Sequence, residues 1–336
     1  MRFLLLTALC FSRLVSGECI ITEQNPERDR STQDRMRLEV LVVSLPVIVQ
    51  DREGRFVTDL QRENFHIFDN GIEQKIAHFA PLEEPFSVVL LLDTSGSTRF
   101  RLKDIQDSAL AFIDSLKPAD RVYPISFDNQ VKPLIQNWTN DRTRLSEAIR
   151  STHTGMDLQP ARSSGNKRVS RTILINTRLY DAVKMGCDLL RPVQGRKAMI
   201  VLSDGADNAS KEATAESTLE EVAELGAFVY GIKYHDLIQR TGEELAPDTE
   251  SDGFSLWKWL YLEDLSKRTG GRYYTVGALK NTLSAFSAIA EELRHQYSLG
   301  YYPEPLPRSG EERRIKVTVD RDNVSVRTRK NYAFKK

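Results

Sequence analysis

The hydrophobic pattern divides the chain into three stretches of different period. From Met36 the rhythm is that of β structure: Val40, Val42 and Leu45 to Val49 are strand-formers, and Asp51-Arg52-Glu53-Gly54 reads as a turn. Phe65 to Phe68 alternates, Asp69-Asn70-Gly71 is a tight-turn signal, and Ile72 to Phe79 returns as a second arm. Beyond Pro85 strands and helices alternate. Phe86 to Leu92 and Ala198 to Leu202 are continuous apolar runs, as expected of strands buried on both faces. Val122 to Phe127, Phe228 to Tyr234 and Arg272 to Val276 read as further strands. Ile105, Ala109, Phe112, Ile113 and Leu116 share one helical face, and helices are predicted over Asp141 to Arg150, Leu179 to Leu190, Leu219 to Leu225 and Leu262 to Arg268. Leu283, Phe286, Ile289, Ala290, Leu293 and Tyr297 stripe a last helix. The expected fold class is α/β: a doubly wound, mainly parallel sheet with helices on both faces. After Pro303, Pro305 and Pro307 the β rhythm resumes, with Ile315, Val317 and Val319, then Val324 and Val326, alternating with polar residues. Small β segments at both ends of the chain invite packing as one β-sandwich, with the α/β domain inserted between its halves.

The first residues carry an address. Arg2 precedes a short apolar run from Phe3 to Phe11, and Val15-Ser16-Gly17 offers small residues for cleavage, the plan of a secretory signal peptide. The run falls short of the roughly 20 apolar residues that a membrane-spanning helix needs, and no later segment reaches that length. The expected organisation is a signal peptide over 1–17, a polar tether over 18–35, an N-terminal β module over 36–82, the α/β domain over 86–298 and a C-terminal β segment over 299–336. The reading is therefore an exported protein, periplasmic or secreted. Bulky Glu18 stands where a small residue would precede a lipid-modified cysteine, which disfavours an anchor on Cys19.

Composition removes several classes of function. The 336 residues hold 47 Lys and Arg against 47 Asp and Glu, so bulk charge does not drive the chain onto nucleic acid or anionic lipid. Three cysteines do not make a disulfide scaffold. Cys10 leaves with the signal, and Cys187 sits among Val183, Leu189 and Leu190 as a small hydrophobe. The histidines His66, His78, His153, His235 and His295 show no zinc-ligand spacing, and neither a phosphate-cradling glycine loop nor a G-x-S-x-G elbow is present.

The chemistry concentrates in Asp93-Thr94-Ser95-Gly96-Ser97, directly after the first fully apolar strand. Open parallel sheets bind ligands beyond the carboxyl ends of their strands. A carboxylate and two hydroxyls at alternating positions of a glycine-containing turn can converge on one point, and such oxygens suit a hard cation. Asp204 follows the second apolar strand in Val201-Leu202-Ser203-Asp204-Gly205. If the two strands are neighbours, Asp93 and Asp204 flank one crevice. The rival explanation for each stretch alone is an ordinary turn or helix cap.

With these residues the chain resembles von Willebrand factor type A domains, and Asp93-x-Ser95-x-Ser97 is similar to their metal-ion-dependent adhesion site. Thr177-Arg178-Leu179-Tyr180-Asp181-Ala182 resembles the loop that supplies a threonine ligand, Val201 to Gly205 the strand with the second aspartate, and Leu262 to Tyr274 the last helix-turn-strand. Asn64 to Gly71 and Tyr297 to Tyr302 resemble the flanks of exported bacterial "VWFA-related" proteins. The resemblance implies that Ser95 and Ser97 bind the metal directly and Thr177 directly or through water, while Asp93 and Asp204 hold coordinated waters. It implies a divalent cation, Mg²⁺ first and Mn²⁺ or Ca²⁺ after it. It also implies a protein partner presenting an Asp or Glu carboxylate, with no small-molecule cofactor and no catalysis. The family's two glycines before the threonine are replaced here by Ile175-Asn176. Upstream, Ala161 to Arg178 carries Arg162, Lys167, Arg168, Arg171 and Arg178 and no acidic residue. That stretch reads either as a basic rim beside the metal or as a solvated loop. The alternatives to adhesion are a metal-dependent hydrolase and a structural protein with a vestigial site. Against the first, Ser95 stands where such enzymes place a second acid.

Overall fold

The computed structural model describes residues 42–98, 101–154, 176–234, 253–277 and 279–334, without the side chains of 253–259 and 279. The expected signal and tether, with Cys10 and Cys19, lie outside the described residues. The chain opens with β1 (Val43–Asp51), β2 (Phe65–Asp69), β3 (Ile72–Gln74) and β4 (Ile76–Ala80). The alternating region follows as β5 (Phe86–Asp93), α1 (Leu102–Ser115), β6 (Arg121–Phe127), β7 (Val131–Pro133), α2 (Arg142–Arg150), α3 (Leu179–Leu190) and β8 (Arg196–Ser203). It continues through α4 (Ala215–Glu224), β9 (Phe228–Tyr234), α5 (Gly253–Thr269), β10 (Tyr273–Val276) and α6 (Leu279–Arg294). The chain closes with β11 (Tyr297–Tyr301), β12 (Glu312–Val319), β13 (Val324–Arg327) and β14 (Asn331–Ala333).

The central sheet has six strands in the order β10-β9-β8-β5-β6-β7. All neighbours are parallel except β7, which runs antiparallel at the edge. Every residue of β5 and β8 is buried because each lies between two strands and under helices on both faces. Alternation then sorts the side chains. Val88, Leu90 and Leu92 enter a core with residues of α1, α2 and α6, while Val89 and Leu91 enter a second core with residues of α3, α4 and α5. β7 escaped the sequence pattern because three residues with a proline show no period, and Pro133 is tolerated because β7 is an edge strand.

Two antiparallel sheets flank this domain, in the orders β13-β1-β11-β4 and β14-β12-β2-β3. Each combines strands from the two ends of the chain. Leu45, Val47, Phe65, Ile67, Leu299, Tyr301, Ile315 and Val317 contribute to one shared core. The hairpins suggested by local alternation are split between the sheets. The arm after Gly71 breaks at Lys75, so that β3 pairs with β2 and β4 with β11. Likewise β12 pairs with β2 and β14, whereas β13 crosses to β1.

Tyr297 requires a correction. Its spacing from Leu293 continues the helical stripe, yet α6 stops at Arg294 and Tyr297 opens β11. The ring packs against Phe65 and Phe79, and its hydroxyl accepts from Leu60 N at 3.2 Å and donates to Val57 O at 3.1 Å. Tyr297 therefore belongs to the flanking core. β1 serves both cores: Leu45, Val47 and Val49 face the antiparallel pair, while Ile48 joins the cluster of α1 and α6. Cys187 is buried in α3, and burial pushes its thiol up to about 12, so it acts as an inert hydrophobe.

Candidate functional site

Strands β5 and β8 are neighbours, with Leu92 opposite Leu202, so their carboxyl ends open on one crevice. Asp93 is fully buried there. Its Oδ1 accepts from Ser95 N at 2.9 Å, which bends the chain into the Gly96–Thr98 turn. Its Oδ2 accepts from Ser203 Oγ at 2.7 Å, across the strand pair. The turn is fixed further by Thr98 Oγ1, which donates to Ser95 O at 2.8 Å, and by Thr94 N, which donates to Phe127 O at 2.8 Å. These bonds bring Ser95 Oγ and Ser97 Oγ to 2.9 Å of each other. Asp204 is only partly buried at the mouth of the crevice, and its Oδ1 accepts from Ala206 N at 2.9 Å.

The loop bearing Thr177 is pinned to the same end of the sheet. Thr177 is buried; its N–H donates to Asn208 Oδ1 at 2.8 Å and its carbonyl accepts from Asn208 N and Ala209 N, each at 3.1 Å. Arg178 N donates to Asp128 O at 2.9 Å, just beyond β6. Helix α3 begins at the next residue without a side-chain cap from Arg178. The loop after Asp204 supplies the caps instead: Asp207 Oδ2 accepts from Tyr180 N at 3.1 Å, and Ser210 Oγ accepts from Asp181 N at 3.1 Å. Asp181 answers by accepting from the backbone N–H groups of Lys211, Glu212 and Ala213. Asp207, Asn208 and Ser210 are thus the residues that position this loop and the start of α3. A capping residue contributed from a loop about 30 positions away leaves no local signal.

Electrostatics distinguishes this crevice from a plain turn. Asp93 is held well above the usual carboxylate range, first by burial and then by the charge of Asp204. Burial and the same two carboxylates push the Tyr234 hydroxyl up as well. Among the described residues no group of three or more His, Cys, Asp or Glu side chains comes together. The set here is two carboxylates with serine and threonine hydroxyls, all oxygen, which fits a hard divalent cation and not zinc. A buried carboxylate whose ionisation is disfavoured by desolvation and by a neighbouring carboxylate is the electrostatic deficit that a cation removes.

Of the basic stretch, Arg162, Lys167, Arg168 and Arg171 lie outside the described residues. Arg178 is described, is mostly buried, and points one guanidinium nitrogen to within 3.8 Å of Asp181. No described helix is long and apolar enough to cross a membrane.

A parallel sheet between two helix layers, with Asp-x-Ser-x-Ser after one central strand and an aspartate after its neighbour, defines a class of ligand-binding α/β domains. Residues 88–206 match the family model of the von Willebrand factor type A domain. The chain thus carries a von Willebrand factor type A domain over these residues. Among solved structures it is similar to BatB from Bacteroides thetaiotaomicron, described as a conserved hypothetical protein, at 20% identity, covering 62% of this chain and 97% of that one with a TM-score of 0.42. It is also similar to a von Willebrand factor type A protein from Catenulispora acidiphila, at 11% identity over 82% of this chain and 76% of that one, TM-score 0.45. A third is the vWF domain of the type V pili tip protein Mfa5 from Porphyromonas gingivalis, at 14% identity over 62% and 94%, TM-score 0.42. No curated protein matches the chain. None of the three structures is similar enough to lend this chain a partner or an activity.

Proposed function

We propose that the protein is an exported, non-enzymatic adhesion module that recognises an acidic group of a protein partner through a bound divalent cation, Mg²⁺ by preference. The observation that carries this reading is the pairing of buried Asp93 with Asp204 beside the Ser95 and Ser97 hydroxyls, which lie 2.9 Å apart. Ser95 and Ser97 would offer neutral oxygens, and Thr177 a third from the loop held by Asn208. Asp93 and Asp204 would orient those hydroxyls and coordinated water. The cation, when bound, supplies an electrophilic point that a partner's carboxylate can complete. Neutral ligands leave it that character, and Asp93, buried and bonded to Ser95 N and Ser203 Oγ, is kept from occupying the partner's position.

The reading includes export by the leader at residues 1–17. It also includes the two antiparallel sheets as a sandwich, built from 36–82 and 299–336, that presents the A domain. The basic residues Arg162, Lys167, Arg168 and Arg171 would then form an acidic-partner rim, with Arg178 serving its loop. Calorimetric titration of residues 18–336 with Mg²⁺ and Mn²⁺ tests the core of it. Saturable one-site binding, lost in Asp204→Ala and Ser95→Ala with the fold retained, is the expected result. A folded wild type that takes up neither ion would leave the site vestigial.

A further inference from the structure

A cleft of about 380 Å³ lies between the A domain and the antiparallel sheets. It sits at the opposite end of β8 from the carboxylate crevice: Lys197 is the second residue of that strand and Ser203 the last. At roughly 3.3 Å per residue they are about 20 Å apart. The carboxyl ends of α3 and α4 form one wall, and the start of β1 with β14 forms the other.

Two cations are buried in these walls. Lys197 is 6% exposed and Arg329 is 3% exposed. Each donates to a carbonyl near a helix end, Lys197 Nζ to Leu190 O at 3.0 Å and Arg329 to Ala223 O. These bonds leave donors over. Arg329 Nε is buried with no hydrogen-bond partner among the described residues. Arg191, the third cation of the cleft, is engaged by Glu221 at 3.1 Å. Glu224 lies close enough to Arg329 to favour its charged form. Burial and the charges of Arg329 and Arg191 push the Lys197 ammonium down to about 8. Desolvated cations crowded together are costly unless an anion joins them. Ser44, Gln194, Glu221 and Glu224 also line the cleft, its apolar side is formed by Leu225, Tyr332 and Phe334, and the volume suits a small molecule.

We infer that this cleft binds a small organic oxyanion, a carboxylate or a phosphate ester, with its oxygens on Lys197 Nζ and the Arg329 guanidinium and its apolar part against Leu225 and Phe334. Such a ligand would join β14 to the ends of α3 and α4. By binding only the assembled junction it would also stabilise the fold.

The test uses the full chain in EDTA, which keeps divalent ions out of the other site. Phenyl phosphate, hexanoate and inorganic phosphate are titrated in turn by calorimetry and by melting temperature. At least one organic probe should bind saturably, more tightly than inorganic phosphate, and raise the melting temperature. Lys197→Met should weaken that binding about tenfold or more, as expected for loss of a charged hydrogen bond. Lys197→Gln is the second variant should Lys197→Met fail to fold, and Lys197→Arg should retain binding. Whichever organic probe binds identifies the head group. Failure of both organic probes to saturate, or undiminished binding in the folded Lys197 variants, overturns the inference. Ser95→Ala should bind the probe as the wild type does, so this site and the cation site succeed or fail separately.

Discussion

At the scale of single residues, Asp69 shows how much one buried group can organise. It is 1% exposed. Its Oδ2 accepts from Tyr332 OH at 2.8 Å and Tyr301 OH at 3.0 Å, and Arg313 lies at 3.4 Å. These partners come from β14, β11 and β12, so one carboxylate on β2 joins strands of both antiparallel sheets. Burial pushes the Tyr332 hydroxyl up to about 12, which keeps it a donor at every physiological pH. Asp69→Ala would take from Arg313, itself 5% exposed, its buried carboxylate, leaving it Glu311 and Pro305 O, and would leave two buried hydroxyls without their acceptor. The expected cost is about 3–5 kcal/mol, read from the denaturant midpoint, and Asp69→Asn should cost less because its amide oxygen still accepts. A loss below about 1 kcal/mol would mean that the network is slack. In the sequence Asp69 reads only as the first residue of a turn, because its partners lie more than 230 positions away. Asp93, Ser95, Ser97 and Asp204 were legible because their meaning is local: oxygen-bearing side chains directly after strands that are apolar throughout. Asp207, Asn208 and Ser210 were not, since their work is done on another loop.

At the scale of elements, strands and helices with a clear period emerged at the places the pattern gave, and departures occur where one pattern serves two cores. Leu179 to Leu190 and Phe228 to Tyr234 match the observed bounds of α3 and β9. Val324 and Val326 were legible as a strand, but which sheet takes that strand depends on the path of the chain. β13 crosses to β1, and the backbone that follows it runs against the turn between α5 and β10. There Gly270 has φ +80°, and a Cβ on it would lie 2.7 Å from Thr328 O and 2.6 Å from Thr328 C. Gly54 has nearly the same φ, +79°, with nothing within 4 Å. The pair separates two effects. Gly54→Ala should cost only the left-handed backbone term, about 1–2 kcal/mol. Gly270→Ala pays the same term and must also displace backbone, so its loss should exceed that of Gly54→Ala by about 1–3 kcal/mol. Equal losses in urea melts of the two variants would show that the linker after β13 can move away.

At the scale of the whole molecule the question is whether the A domain and the flanking sheets are separable. Only His295 and Gln296 stand between the end of α6 and β11, the strand that pairs with both β1 and β4. Near the end of α6, Glu292 is 3% exposed and receives Arg272 beside β10 and Arg327 of β13. Arg327 also donates to Gly270 O at 2.7 Å. Buried Arg196, at the start of β8, donates to Leu82 O at 2.7 Å and to the carbonyls of Glu84 and Leu293, tying together the linker into β5, the central sheet and α6. Ile48 of β1 lies in the A-domain core, and Phe56 stacks on His295 with ring centroids 4.5 Å apart. None of this was visible in the sequence beyond the hint of β segments at both ends, because it rests on charged residues whose partners are remote. A junction made of buried charge, shared apolar residues and a two-residue connection should transmit unfolding from one part to the other. Calorimetry of the full chain is therefore expected to give one transition, with van't Hoff and calorimetric enthalpies equal. Ending the chain at Ser309 removes β12, β13 and β14 and with them Arg327, one of the two cations at Glu292, and Arg329 at the base of the A domain. That truncation should lower the melting temperature of the A domain itself. An A-domain transition that stayed in place after the truncation would show that the sheets are an attachment, and that the cation site could be studied, or could act, without them.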